Sequence, residues 1–152
     1  MSLDILLVGE ESQQRRIDRL NFSLLERHNV GFVYTDRPES WARNTVRDYD
    51  MLLITSVAGP TSKVKYLKKV KGIAETLNHK KNSINFVVAA DGSPNIVGLA
   101  KNAKKAGIGG LIYWNPTWNR YYIITTSDDY ETGPIPLLRK LYAKNEVRIQ
   151  KN

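Results

Sequence analysis

With 152 residues, of which 41% are hydrophobic, the chain has the length of one domain and enough apolar side chains for a full core. The absence of cysteine and the presence of only two histidines exclude a disulfide framework and a thiolate metal site and argue against zinc. Basic residues outnumber acidic ones by 23 to 15, a formal charge of +8, which raises the question of a polyanionic partner.

The longest apolar runs, such as Ile5 to Val8 and Met51 to Ile54, fall far short of the roughly 20 residues of a spanning helix. The start Met-Ser-Leu-Asp lacks a secretory signal pattern and reads as cytoplasmic, and Met-Ser-Leu is compatible with an expression leader. Asp4 to Val8 reads as a buried strand, and Glu10-Glu11-Ser12 opens a helix with Glu11 or Ser12 as its cap. In that helix Ile17, Leu20, Leu24 and Leu25 share one face, and Asn29 ends it. Val30 to Tyr34 is a second strand, Asp36-Arg37-Pro38 a turn, and Glu39 to Arg47 a short helix. The third strand is Met51 to Thr55. Thr61 or Ser62 then caps a helix with Val64, Leu67, Val70, Ala74 and Leu77 on its inner face. Ile84 to Ala89 is the fourth strand, Asp91 to Pro94 a turn, and a helix through Ile96, Val97, Ala100 and Ala103 ends at Gly107. Gly110 to Trp114 is the fifth strand.

Short, mostly apolar strands alternating with helices predict an α/β fold, a doubly wound five-stranded parallel sheet covered on both faces. In such a fold the site lies beyond the carboxyl ends of the strands, where strand order reverses. The loops there carry Glu10 and Glu11, Thr55 and Ser56, Ala90 to Ser93, and Asn115-Pro116.

Four segments in order carry a family resemblance: Leu6 to Ser12, Asp50 to Pro60, Phe86 to Ala90, and Ala106 to Pro116. They resemble the receiver domains of response regulators, a flavodoxin-like fold, over roughly the first 116 residues. The resemblance implies that Glu10 and Glu11 stand where the family holds magnesium. It also implies that Thr55 stands in place of the phosphorylated aspartate, Ala89 in place of a switching hydroxyl, and Asn115 in place of the lysine that contacts the phosphoryl group. Without the third carboxylate the magnesium site loses charge and an oxygen ligand. Without lysine and threonine a phosphoryl group lacks its cation and its donor. The chain is thus similar to the degenerate receivers found at the front of partition-type pilus-assembly ATPases. That likeness implies a catalytically silent, phosphorylation-independent signalling domain, without cofactor or metal, that binds a partner protein or itself as a homodimer. No Gly-x-x-x-x-Gly-Lys-Ser motif is present, so an attached ATPase or output domain would lie outside this sequence. A receiver-like strand end at Thr55 would face a solvated crevice and tolerate an aspartate.

One domain is expected over residues 1–152, with a receiver-like core to 116 and a divergent extension, 117–152. In the extension Tyr121 to Thr126 reads as an added strand or half of a hairpin, and Pro134 to Leu138 starts a last helix. Tyr113, Trp114, Trp118, Tyr121, Tyr122 and Tyr130 gather here, either covering the sheet edge or forming a contact patch. Asp128, Asp129 and Glu131 make an acidic turn, read as solvated loop or weak cation site. In receivers the fourth helix, fifth strand and last helix form the partner face, which here would set Lys101, Lys104 and Lys105 around Tyr113, Leu141 and Tyr142.

Two other readings rest on the residues themselves. Lys63, Lys65, Lys68, Lys69 and Lys71 crowd one helix, Lys80 and Lys81 follow it, and Lys101, Lys104 and Lys105 lie on the next. Arg139, Lys140, Lys144, Arg148 and Lys151 close the chain. These are solvated faces or a nucleic-acid or acidic-partner surface. Thr55, Ser56, Thr61 and Ser62 form a hydroxyl-rich loop ahead of a helix, either capping it or cradling an anion, as a flavodoxin-like small-ligand or nucleotide binder would. His28 and His79 fall at expected helix ends and read as surface or capping residues.

Overall fold

The computed structural model describes residues 3–13, 28–43, 48–56, 59–80, 83–89, 95–115, 120–125 and 147–151. The helix expected after Ser12, the Asp91 to Pro94 turn, the acidic turn at Asp128 to Glu131 and the helix expected from Pro134, with Leu141 and Tyr142, lie outside these residues.

Continuous apolar runs bounded by turn residues form β1 (Asp4–Gly9), β2 (Asn29–Tyr34), β3 (Met51–Ser56), β4 (Ile84–Ala89) and β5 (Gly110–Asn115). All five are parallel, in the order β2-β1-β3-β4-β5. This is the flavodoxin-like, doubly wound arrangement that the alternation of elements predicts, and strand order reverses between β1 and β3. Among the described residues α1 (Pro38–Arg43) follows β2, α2 (Val64–Leu77) joins β3 to β4, and α3 (Ile96–Lys105) joins β4 to β5. The sheet continues with β6 (Arg120–Thr125), antiparallel to β5, and β7 (Val147–Lys151), parallel to β6. No helix among the described residues is long and apolar enough to cross a membrane.

Alternation along each strand sorts the side chains into two layers. Leu6, Val8, Leu52, Ile54, Val87 and Leu111 pack with Leu67, Val70 and Ala74 of α2 and Leu99, Ala100 and Ala103 of α3. On the opposite face Ile5, Leu7, Met51, Leu53, Phe86 and Ile112 are also buried, so the central strands are sequestered on both sides. Each such side chain contributes roughly 1.5–3 kcal/mol through burial.

Several boundaries differ from expectation for local reasons. Neither Thr61 nor Ser62 caps α2, because a 3-10 turn, Gly59–Ser62, intervenes and Lys63 takes the cap position without a side-chain bond. Gly59, at φ 67, supplies the left-handed conformation this turn needs. Leu77, the last residue of α2, is exposed, and the chain is instead fastened one residue later, where the Asn78 side chain bonds both the N–H and the carbonyl of Tyr49. Val97 is also exposed, and α3 instead buries Leu99. The α3 cap is Asn95, whose Oδ1 accepts from the Gly98 N–H at 2.9 Å. Asn29 opens β2, with its N–H donated to the Leu3 carbonyl, and His28 Nδ1 accepts from the Leu3 N–H at 3.0 Å.

A polar cluster fastens the amino ends of the strands. Asp50 Oδ2 accepts the Asp4 N–H at 2.9 Å, and Lys80 Nζ reaches both Asp4 Oδ2 at 3.1 Å and Asp50 Oδ1 at 3.0 Å. Asn29 Nδ2 donates to Asp4 Oδ1. The aspartate that opens β3 is thus a structural residue.

Candidate functional site

The carboxyl ends of β1, β2 and β3 meet where the strand order reverses. Thr35 donates its N–H to the Gly9 carbonyl at 2.9 Å, which draws the turn after β2 up against the exit of β1. There Asp36 Oδ1 accepts the Glu11 N–H at 3.0 Å, and the Arg37 guanidinium pairs with the Glu11 carboxylate. Glu10 turns the chain by accepting the Gln13 N–H on its carbonyl. From α2, Tyr66 brings its hydroxyl to 3.4 Å from Thr35 Oγ1. Burial raises the Tyr66 pKa, the Glu10 and Asp36 carboxylates add to the rise, and the Thr35 hydrogen bond opposes it.

Thr55 does not face a solvated crevice, contrary to expectation. It is fully buried on the β1 side of β3, and its hydroxyl donates to the Val8 carbonyl at 2.7 Å. Ser56 is buried too and donates to the Thr61 carbonyl at 3.1 Å, while Ser62 donates to the Gly59 carbonyl at 2.7 Å. A hydroxyl has one proton to give. Those of Thr55, Ser56 and Ser62 are all directed at backbone carbonyls, leaving none of the three for an anion. Thr61 is buried beneath the same turn.

Ala89 is buried at the end of β4, in register with Ser56 on one side and Tyr113 on the other. Asn115 ends β5 opposite Arg120 of β6. Glu10 and Glu11 are therefore close to Thr55 in the fold, but the Glu11 carboxylate is engaged by Arg37 and Thr55 offers no oxygen outward. These residues do not fit a magnesium ion, and among the described residues no group of three or more His, Asp or Glu side chains is placed to hold a metal.

The described part of the expected partner face comprises α3 and β5. Lys101, Lys104 and Lys105 are exposed on α3, and Tyr113 packs half-buried against the core. The strand expected at Tyr121 to Thr126 is β6, which pairs with β5 from Gly110 to Asn115, so β5 is not the edge of the sheet. Tyr66, Thr35, Asp36 and Arg37 are site residues that the sequence reading passed over. The available signal was the position of Asp36 and Arg37, immediately past the carboxyl end of a strand.

No protein-family model, curated protein or solved structure matches the chain. The class that its own geometry defines is a flavodoxin-like α/β domain with a closed, internally hydrogen-bonded strand end at position 55.

Proposed function

We propose that this chain is a non-catalytic, receiver-like domain that acts by binding a partner protein and does not respond to phosphorylation. The observation that carries the reading is the state of Thr55. Where a phosphoacceptor would present a carboxylate to solvent, this residue is buried and its proton is directed to the Val8 carbonyl. The pairing of Glu11 with Arg37 supports the same reading, since it withdraws one of the acidic residues that a divalent cation would require. Such a domain conveys information through its surface rather than through chemistry at the strand ends.

Incubation with acetyl phosphate and magnesium, followed by intact-mass analysis, tests the proposal. The expected spectrum contains the unmodified mass alone, and titration with beryllofluoride and magnesium gives no heat of binding. A stoichiometric phospho-adduct would overturn it.

A further inference from the structure

We propose that the outer faces of α2 and α3 together form a docking surface for the phosphate backbone of a nucleic-acid duplex. This goes beyond the function proposed above and does not rest on it.

The offset between the two helices is the first support. Asn102, near the end of α3, donates its Nδ2 to the Ser62 carbonyl, just ahead of α2, at 2.8 Å. A Cβ placed on Gly107, past the end of α3, would stand 3.7 Å from Lys71 Nζ. These contacts set the carboxyl-terminal half of α3 beside the amino-terminal half of α2. Lys101, Lys104 and Lys105 thereby come alongside Lys63, Lys65, Lys68 and Lys69, and all seven are exposed.

The second support is that, among the described residues, no carboxylate neutralises them. Glu75 is the one carboxylate in either helix, and it pairs with Lys71 at 2.9 Å. Among the described residues none of the seven lysines makes an ion pair.

Helix electrostatics supply the third. The amino end of a helix carries partial positive charge and favours acidic residues. The first turn of α2 has none, and its cap is Lys63 without a side-chain bond. Lys104 and Lys105 suit the carboxyl end of α3, but Lys63 and Lys65 work against α2. A merely solvated face has no reason to gather cations there, whereas an anionic partner relieves the repulsion.

The character of the surface selects the partner. A second copy docked here would bring these lysines against their own counterparts. A protein partner is ordinarily held by Trp, Tyr or Arg anchors. The outer rows of α2 and α3 have none, since Tyr66 is directed to Thr35 and the large exposed apolar residues are the aliphatic Ile73 and Leu77, in the half of α2 away from Lys63, Lys65, Lys68 and Lys69, and Val97 at the start of α3. Affinity must therefore come from charge, and a duplex presents one negative charge per roughly 1.7 Å of its axis. Without exposed aromatic platforms, the surface suits a duplex better than a single strand.

Fluorescence anisotropy with a labelled mixed-sequence duplex of about 20 bp, titrated across salt, tests this. The expected slope of log affinity against log salt lies between about −4 and −6. Lys65→Gln/Lys68→Gln/Lys69→Gln should make the slope shallower by about 3 and weaken low-salt binding about tenfold or more. Lys101→Gln/Lys105→Gln should make it shallower by about 2. The thermal midpoint of the triple variant should be unchanged or raised, because it relieves repulsion on α2, and that of the double variant should change little, since Lys105 suits the carboxyl end of α3; the double variant serves alone if the triple fails to fold. Absence of duplex binding at low salt, or variants that keep the wild-type slope, would overturn the proposal. So would tighter binding to phosphatidylserine vesicles, to a polyglutamate peptide or to a single strand of equal length.

Discussion

The Thr55 hydroxyl and the Val8 carbonyl lie 2.7 Å apart, in a pocket closed to solvent, so the end of β3 is fastened to β1 by a side chain as well as by the ladder. Thr55→Val keeps the shape and removes the donor, and should cost about 1–2 kcal/mol. Thr55→Asp places a carboxylate where no water or cation reaches it and should cost roughly 3 kcal/mol or more, or leave the aspartate protonated. Urea unfolding in magnesium and in chelator measures both. The expected result is no rescue by magnesium, and a magnesium-dependent gain in the Asp variant would show that the strand end opens.

The cluster at the amino ends of the strands should give the fold a pH signature. The Asn29 hydrogen bond and the Lys80 ammonium hold the Asp4 carboxyl below its usual range. A depressed carboxyl pKa stabilises the fold above the unfolded value of about 3.9 and ceases to do so as the pH falls through the folded one. Asp50, then Asp4, raise the Lys80 pKa, so its contribution is complete below the unfolded value of about 10.4 and is lost as the pH rises through the folded one. The stability difference between wild type and Lys80→Ala should be constant near neutrality and shrink at both extremes. Urea midpoints measured across pH check this, and a difference independent of pH at the acid end would exclude Asp4 as the partner.

Tyr49 is fully buried, and among the described residues its hydroxyl has no hydrogen-bond partner. Burial, with the Glu75 carboxylate adding to it, pushes its pKa up to about 12, and the polar side chains of Asn78 and Ser83, close by but without hydrogen-bond geometry to the hydroxyl, oppose the rise. Tyr49→Phe should be neutral or stabilising, by up to about 1 kcal/mol, since an unsatisfied buried hydroxyl is removed. Between the unfolded value of about 10 and the folded one, wild type should lose stability with rising pH because only the unfolded state ionises there. The Phe variant should lose less over that range, as thermal melts in alkaline buffers would show.

At the start of β5 a Cβ on Gly110 would lie 2.7 Å from Phe86 Cε1 and 2.5 Å from the Ile124 carbonyl oxygen. Neither neighbour can move freely, since Phe86 is fully buried and the carbonyl is backbone. Gly110→Ala should therefore destabilise by about 1–3 kcal/mol through overpacking. Gly72→Ala, at an exposed helix position with nothing nearby, should raise stability by about 0.5–1 kcal/mol. Thermal melts of the two variants separate a steric requirement from a general glycine effect.

The parallel core was legible because runs such as Met51-Leu52-Leu53-Ile54 are too short and too uniformly apolar for anything but strands sequestered on both faces. Helix faces were legible where spacing and packing agree, as at Leu67, Val70 and Ala74, and misleading at Leu77, where the helix ends. The strand ends that frame the candidate site could be placed, but their internal bonding could not. A threonine at a strand end looks the same in sequence whether it faces water or a carbonyl 47 residues away. Tyr66 and Thr35, 31 residues apart, share no local pattern that would announce their contact. The 3-10 turn ahead of α2 was hidden because Thr61 and Ser62 are equally good cap residues, and only the burial of Thr61 shows that they were used otherwise.

Lys80 joins chain segments that are far apart along the sequence, 76 residues from Asp4 and 30 from Asp50. The bond to Asp50 needs only β3 and α2 in place, whereas the bond to Asp4 needs β1 and β3 in register as well, so we expect the complete bridge to form after the rate-limiting barrier. A contact made after the rate-limiting barrier slows escape from the native state without hastening arrival. Removing the ammonium group should therefore leave the refolding limb of a chevron plot nearly unchanged and lift the unfolding limb. The bridge is in this sense a latch, one that lengthens the life of the folded chain without hastening its formation.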